Sequence, residues 1–335
     1  MHCFRTSVRR MNRLVAGMLF GITAGVAVVV PAVSHAAYPE NRINMIVGYG
    51  PGGGTDLIAR VIAPYIEKYL GNDAKIIVHN RPGAAGAIGF MAVASAAPDG
   101  YTIGFINTPP VLTIPIERKS SFTWESFDLL GNIIDDPGAF AVHTDSPLNS
   151  LADLVAQARA NPEALTVGTT GIGSDDHLAM LLFQRAGGVK LNHVPFKGAS
   201  EVHAAIAAKQ VAIAAMNVGE VLQYKKGGTP LRTLGQMSTG RTNLAPDLPT
   251  FKEQGFDIVL ASLRGIAAPK GLPAPIREQL VNAIEKAAAD PQFQAQAAGY
   301  FAPLRYLPPG KYEAELREGD AQFRQLWKEI PWGEK

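Results

Sequence analysis

From Arg42 onward the chain alternates short, unbroken apolar runs with longer segments whose apolar residues recur every three to four positions. "INMIV" is the first such run, of a length and texture that suit a strand buried on both faces. Beyond a turn holding five glycines in residues 48–54, Leu57, Ile58, Val61, Ile62, Tyr65, Ile66, Tyr69 and Leu70 fall on one helical stripe. Gly71 closes that helix, and Pro64 inside it is expected to kink it. "KIIV", a second glycine turn "NRPGAAGAIG", a small helix over 90–97, the turn "PDG" and the strand "YTIGFI" complete a β-α-β-α-β series. Short connections in such a series predict a parallel sheet covered by helices.

A second series starts near Phe140 with "FAVH", a helix over 151–160, "LTVGTT", the turn "GIGS" and a helix over 175–186. "LNHVPF", a helix over 200–208 and "VAIAAM" follow, and after "LRTLGQM" the chain runs through "APDLPTFKEQG" and "IVLASLRGIAAP". Two long helical segments, 274–289 and 311–329, end it; both are amphipathic and are expected to pack on the first series. The pattern predicts an α/β protein of two domains, each a parallel or mixed sheet covered by helices.

Residues 1–36 break this pattern. Arg5, Arg9, Arg10 and Arg13 precede an apolar run from Leu14 to Val33, and Ser34-His35-Ala36 makes a small-x-small cleavage site. This is the layout of a secretory signal peptide, and the run is also about long enough for an uncleaved anchor. Cys3, the only cysteine, leaves with the leader, so disulfides, cysteine nucleophiles and thiolate metal sites are excluded from the mature chain. The leader carries basic residues and no acid. Its removal turns the balance of 31 basic against 29 acidic residues from +2 to slightly negative, and no nucleic-acid partner is expected.

Two turns share one construction: "VGYGPGGGTDLIA" and "VGTTGIGSDDHLA" each run from strand through glycines to a hydroxyl, an Asp and an apolar helix. Thr55 or Asp56 in one and Ser174 in the other are placed to cap the helix, while glycines let backbone N–H groups point outward, which is the recipe for an anion site. Gly48 to Gly53 also satisfies G-x-G-x-x-G, but Pro51 interrupts it and the second strand ends in Asn80-Arg81 without the acid a ribose needs. Asp73 has the spacing but precedes that strand. No Lys follows the glycines, so a phosphate loop fails as well, and no cofactor is expected.

Taken in order, "YPENRINMIVGYGPGGGTDLIAR", "VHNRPGAAGAIG", "AAPDGYTIGF", "HVPFKG", "LPTFKEQG" and "GLPAPIREQLVNAIEKAAADPQF" resemble the extracytoplasmic solute receptors of tripartite tricarboxylate transporters, the Bug-type receptors. The resemblance runs from Tyr38 to about Trp327. It implies a periplasmic, two-domain binding protein of the Venus-flytrap kind, with domain 1 formed by 37–138 and 262–335, domain 2 by 139–261, and a ligand cleft between the two sheets. It further implies a small carboxylate ligand, membrane permease subunits as partners, a monomer, and no enzymatic activity. Carried onto this chain, the ligand contacts are Gly52, Gly53, Gly54 and Asp56 in the first domain, Thr170, Gly171, Gly173 and Ser174 in the second, and Asn217 at a cleft-lining strand end.

Two departures bear on the ligand. Many relatives have a Trp and an aromatic or small residue where this chain has Leu263-Arg264, and uncharged residues where it has Asp175-Asp176. Arg264 has the fork for a bidentate grip on a carboxylate, with a surface ion pair as its alternative. Asp175 and Asp176 complement the helix dipole. A carboxylate turned into the cleft would disfavour a bare polyanion and favour a ligand with an amino group, a neutral ligand, or an acid carried with a cation. His79, His143, His193 and His203 lack metal-ligand spacing, and there is no G-x-S-x-G. Arg81 and Lys197, beside glycine turns, are ligand contacts or solvated loop charges. The rival readings are a secreted enzyme working through His177 or Asp175 in the same cleft, and a receptor that serves only as a sensor.

Overall fold

The computed structural model describes residues 38–333, and the leader read from the sequence lies outside them. The first half opens with β1 (Ile43–Val47), α1 (Gly54–Leu70), β2 (Ile76–Asn80), α2 (Ala87–Ala94), β3 (Thr102–Asn107) and α3 (Pro110–Glu117). The long strand β4 (Phe127–His143) leads into α4 (Leu151–Ala160), β5 (Thr166–Thr169), α5 (Asp175–Gly187), β6 (Asn192–Pro195), α6 (Ala199–Ala207), β7 (Ile213–Asn217), α7 (Val218–Lys226) and β8 (Leu231–Gln236). The chain returns through β9 (Ala261–Pro269) and finishes with α8 (Ala274–Ala289), α9 (Pro291–Gly299), β10 (Leu304–Leu307) and α10 (Pro309–Glu329).

Strands follow the order β2-β1-β3-β9-β4-β7-β5-β6, with β8 and β10 also on β4. β1 pairs in parallel with β2 and β3, and β5 in parallel with β6 and β7. β4 and β9 supply the antiparallel centre. β4 is the element that joins the halves: Phe127 to Pro137 pair with β9, whereas Gly138 to His143 pair with β7 and β8. Its sequence Asp135-Asp136-Pro137-Gly138 has the composition of a turn, and only the final "FAVH" is legible as strand from pattern. Pro137 falls where the strand changes partners, the place in a ladder where a missing N–H does least harm. There Gly138 N donates to Leu260 O at 2.9 Å, tying the two crossings together.

The halves have separate cores. In the second, strand alternation sends Phe140, Val142, Ile213 and Ala215 to one face and Ala141, Ala214 and Met216 to the other, which is why "VAIAAM" is apolar without a break. Phe140, Phe183 and Phe251 meet edge to face on the first of these faces, with Phe140 centroids 5.5 and 5.2 Å from the other two. The first-half core draws Leu280, Ala283, Phe293, Tyr312 and Leu316 from the C-terminal helices, so these pack where the pattern places them.

Some elements differ from the sequence reading. α3 carries Pro110 and Pro115 and gave no helical signal, and the short strand β10 separates α9 from α10. α2 starts at Ala87, earlier than expected. α1 spans Pro64 as the sequence reading has it, and the proline ring removes the N–H that would bond Arg60 O.

Phe140 is fully buried. Phe140→Ala is expected to cost about 3–5 kcal/mol through lost contacts and a residual cavity, seen in urea unfolding as a lower midpoint at unchanged slope.

Candidate functional site

Both glycine turns are closed by their own Asp. At the first, Gly53 occupies the cap position of α1 with no side-chain cap, and Asp56 folds back so that Oδ2 accepts from Gly52 N at 2.9 Å. Its Oδ1 accepts from Arg60 Nε at 3.0 Å and Asn80 Nδ2 at 2.8 Å. Burial would raise Asp56, but these hydrogen bonds outweigh it and hold the carboxyl below its ordinary value. At the second turn Ser174 caps α5, accepting from His177 N at 3.2 Å as its position predicts. Asp176 Oδ2 accepts from Thr170 N at 3.1 Å and from Thr170 Oγ1 at 2.6 Å. The shared Thr/Ser-Asp pattern is therefore realised as a loop closure.

This changes the expected anion cradle. Gly52 N–H goes to Asp56 and Gly54 N–H to Glu220 Oε1 at 3.2 Å. Gly171 N donates to Thr169 Oγ1 and Gly173 N to His177 Nδ1, both at 3.2 Å. These four backbone donors, which sequence assigns to a bound anion, are engaged by the chain's own side chains, two of them carboxylates.

Each turn is met by other elements of the opposite half. Tyr224 OH donates to Gly52 O at 3.2 Å, and Thr113 Oγ1 to Gly173 O at 2.6 Å. A Cβ on Gly171 would lie 3.1 Å from Ala85 Cβ, and one on Gly198 3.2 Å from Gly50 N. At Gly54 a Cβ would overlap Arg264 Nη1 outright. Glycine is required at Gly54 because backbone and guanidinium share that space.

Arg264 stands at the centre, on β9, and is 4% exposed. Its Nη2 donates to Asn217 Oδ1 at 2.9 Å and Glu220 Oε1 at 3.0 Å, and meets Asp136 Oδ2 at 3.3 Å. This is a buried network joining β4, β9 and α7, in place of either the free grip or the surface pair read from sequence. Glu220 closes a capping box with Asn217, the Asn-x-x-Glu spacing that marks a helix start, so that signal was available in the sequence. Nothing in the pattern marked Asp136.

The cleft between the turns is lined by Tyr49, Gly53, Gly54, Thr55, Asn107, Thr170, Asp175, Ala199, Asn217, Glu220, Ser262 and Arg264 around a water-sized space of about 20 Å³. Of the residues assigned from sequence, Gly53, Gly54, Thr170, Asn217 and Arg264 line it. Gly52 lines an adjoining pocket with Leu57, Val61 and Phe301 that shares Glu220 and Arg264 with the cleft, and Gly171 lines a separate, wider pocket with Ala85 and Phe196. Asp56, Gly173 and Ser174 are outside the lining, spent on their own turns.

Asp175 and Asp176 part company here. Asp175 lines the cleft with Oδ2 accepting from Asn217 Nδ2 at 2.8 Å, whereas Asp176 turns back to Thr170. Burial pushes Asp175 up to about 6, opposed by the Asn217 hydrogen bond, and Asp136 up to about 7, opposed by the Arg264 charge. Burial, with repulsion from Asp175, raises Asp176 as well. His177 stacks on His193 at 4.1 Å, and burial holds it down at about 3. With Nδ1 committed to Gly173 N–H, His177 is placed to hold the turn, away from the cleft lining. Among the described residues no group of three or more His, Cys, Asp or Glu is arranged to hold a metal ion.

Arg264→Met leaves Asp136 and Glu220 buried without their cation, an expected loss of about 3–5 kcal/mol near neutral pH. Without the guanidinium Asp136 rises further, and a carboxyl whose folded-state value lies above its unfolded one costs stability as pH climbs through that interval. Denaturant unfolding of wild type and variant at pH 5 and pH 8 should therefore show the larger gap at pH 8.

The family model for the tripartite tricarboxylate transporter family receptor matches residues 58–300. The "UPF0065 protein in gbd 5'region" of Cupriavidus necator is 33% identical over 86% of this chain and 90% of its own length. The structure of periplasmic binding protein BugD is similar with a TM-score of 0.83 at 29% identity, covering 89% of this chain and 100% of that one. The R. palustris protein solved with adipate shares the fold with a TM-score of 0.81 at 24% identity, over 87% of this chain and 97% of that one. With two half-sheets joined by β4 and β9, a cleft between paired glycine turns, and matches along most of its length, the chain belongs to the tripartite tricarboxylate transporter receptor family, the Bug-type solute-binding receptors.

Proposed function

We propose that this receptor works in the periplasm after removal of residues 1–36, captures a small organic acid between its lobes, and presents the closed form to the membrane permease subunits of its transporter. The lobes in this reading are 37–138 with 262–335, and 139–261, hinged where β4 and β9 cross. The observation that carries it is a cleft lined by one glycine turn from each half, whose single basic lining residue is Arg264. The family's tricarboxylate description and the adipate held by the R. palustris neighbour support an acid as the ligand.

The mechanism follows from the geometry. The cleft as it stands has room for about one water, so a ligand of several carbons enters only when the lobes part. A ligand that touches both turns has differential affinity for the closed arrangement and shifts the population toward it. Capture and release need no covalent step. Of the two bases an enzyme reading could use, His177 is engaged with Gly173 and His193, and Asp175 lines the cleft with its carboxylate accepting from Asn217. The receptor acts as a monomer in this scheme, since both walls of the cleft come from one chain.

Thermal unfolding of the chain from Ala37 to Lys335 against mono-, di- and tricarboxylates, aromatic acids and amino acids tests the reading. An acid at a hundred times its dissociation constant should add about 2.7 kcal/mol of stability and be recovered unchanged; product formation or silence across the panel would sink it. Gly54→Ala drives a methyl into Arg264 and Glu220 in the closed form. Because apparent affinity falls with the closed fraction, the variant should bind roughly tenfold or more weakly and show a larger scattering radius with ligand than wild type does.

A further inference from the structure

Among the side chains that line it, the cleft holds more acceptors than donors. Asp175, 6% exposed, presents its carboxylate to the cavity, and Glu220 forms part of the same wall. Asn107, 4% exposed, is fixed by Nδ2 donating to Thr55 Oγ1 at 2.9 Å, and its Oδ1 has no hydrogen-bond partner although it is buried beside that cavity. On the donor side Arg264 Nε is likewise buried and unpartnered. The rest of the guanidinium is surrounded by Asp136 and Glu220, so Arg264 brings no surplus positive charge to the cleft. Native interiors rarely leave such atoms unmatched, because each unmet buried group costs the desolvation it paid.

We propose that the receptor selects acids that also carry an ammonium group, an amino-acid-like zwitterion, with Asp175 and Asn107 Oδ1 accepting from the ammonium and Arg264 Nε donating to the carboxylate. The inference rests on the acid-receptor reading and deepens it. With Asp175 and Glu220 on its wall and its one guanidinium already paired with Asp136 and Glu220, the cleft disfavours a bare di- or tricarboxylate, whereas an ammonium offsets one charge of the acid, supplies the donor that Asn107 Oδ1 lacks and adds one for Asp175. Asp176 has no part in the selection, since Thr170 engages its carboxylate. The ligand needs the cleft to open first, and the same lobe motion brings the two orphan atoms and Asp175 to bear on it together.

Calorimetric titration of the protein with matched probes decides the matter: succinate against aspartate, glutarate against glutamate, propionate against β-alanine, and the corresponding bare alkylamines, each with and without Mg²⁺. The expected result is an amino acid that binds about tenfold or more tightly than its desamino partner, the margin of one charged hydrogen bond. Asp175→Asn keeps the shape and removes the charge, so it should erase that preference and improve binding of the bare acid, a gain that misfolding does not produce. Desamino acids binding as well as or better than their amino partners, an acid that binds only with Mg²⁺, or a preference that survives Asp175→Asn would each overturn the proposal. Bare amines binding where no acid does would overturn the acid-receptor reading and leave a cation site at Asp175. Silence from all probes would count against both.

Discussion

The rest of the structure depends on the burial of one guanidinium. Arg264 on β9 is held by Asp136 on β4 and by Asn217 and Glu220 at the start of α7, so the strand that returns to the first half is locked to the strand that left it and to a helix of the second. Taking these charges out of water is expensive, and their mutual attraction recovers the expense only while every partner is present. Such a cluster adds little net stability over a well-packed apolar set. What it adds is position: it fixes where two crossing strands meet, and the cleft is defined by that meeting.

Around this network the glycine turns do two things that are usually treated as one. They let strand run into helix with no Cβ in the way, and they let backbone from one half approach the other within van der Waals contact. Gly198 serves the second purpose most plainly, because a Cβ there would lie 3.2 Å from Gly50 N of the other half. The turns are also stiff. Asp56 and Asp176 each reach back to a backbone N–H of their own loop, so the walls of the cleft are set before anything binds. The paired strands exchange partners at Pro137-Gly138, where Pro137 still faces Ala261 and Gly138 pairs with Asn217.

Electrostatics gives the cleft its character. One buried cation and three buried carboxyls meet at the cleft, and burial pushes Asp136 up to about 7 and Asp175 up to about 6. The same carboxyls satisfy the Arg264 Nη2 and the Gly54 N–H, and of the buried side-chain atoms at the cleft Asn107 Oδ1 and Arg264 Nε remain without a hydrogen-bond partner.

The sequence by itself determined the alternation of strands and helices, the two-lobed α/β class, the family, and the two glycine turns as the walls of a site. These are local or periodic properties: the stripe of α1, the unbroken runs of β1 and β7, and the Ser174 cap are written in neighbouring residues. The Asn217-Glu220 capping box was equally legible. Tertiary structure alone decided that β4 continues through Asp135-Asp136-Pro137-Gly138, because pairing with β9 on one side and β7 on the other overrides the turn composition. It also decided the roles of the charges. Asp175 and Asp176 are neighbours on a helix and differ by about 100° in direction, so one faces the cleft and the other its own loop, and no pattern in the sequence says which. Arg264 and Asp136 are 128 residues apart and meet only when β4 and β9 pair. Side-chain destination over such separations is a property of packing, and periodicity carries no information about it.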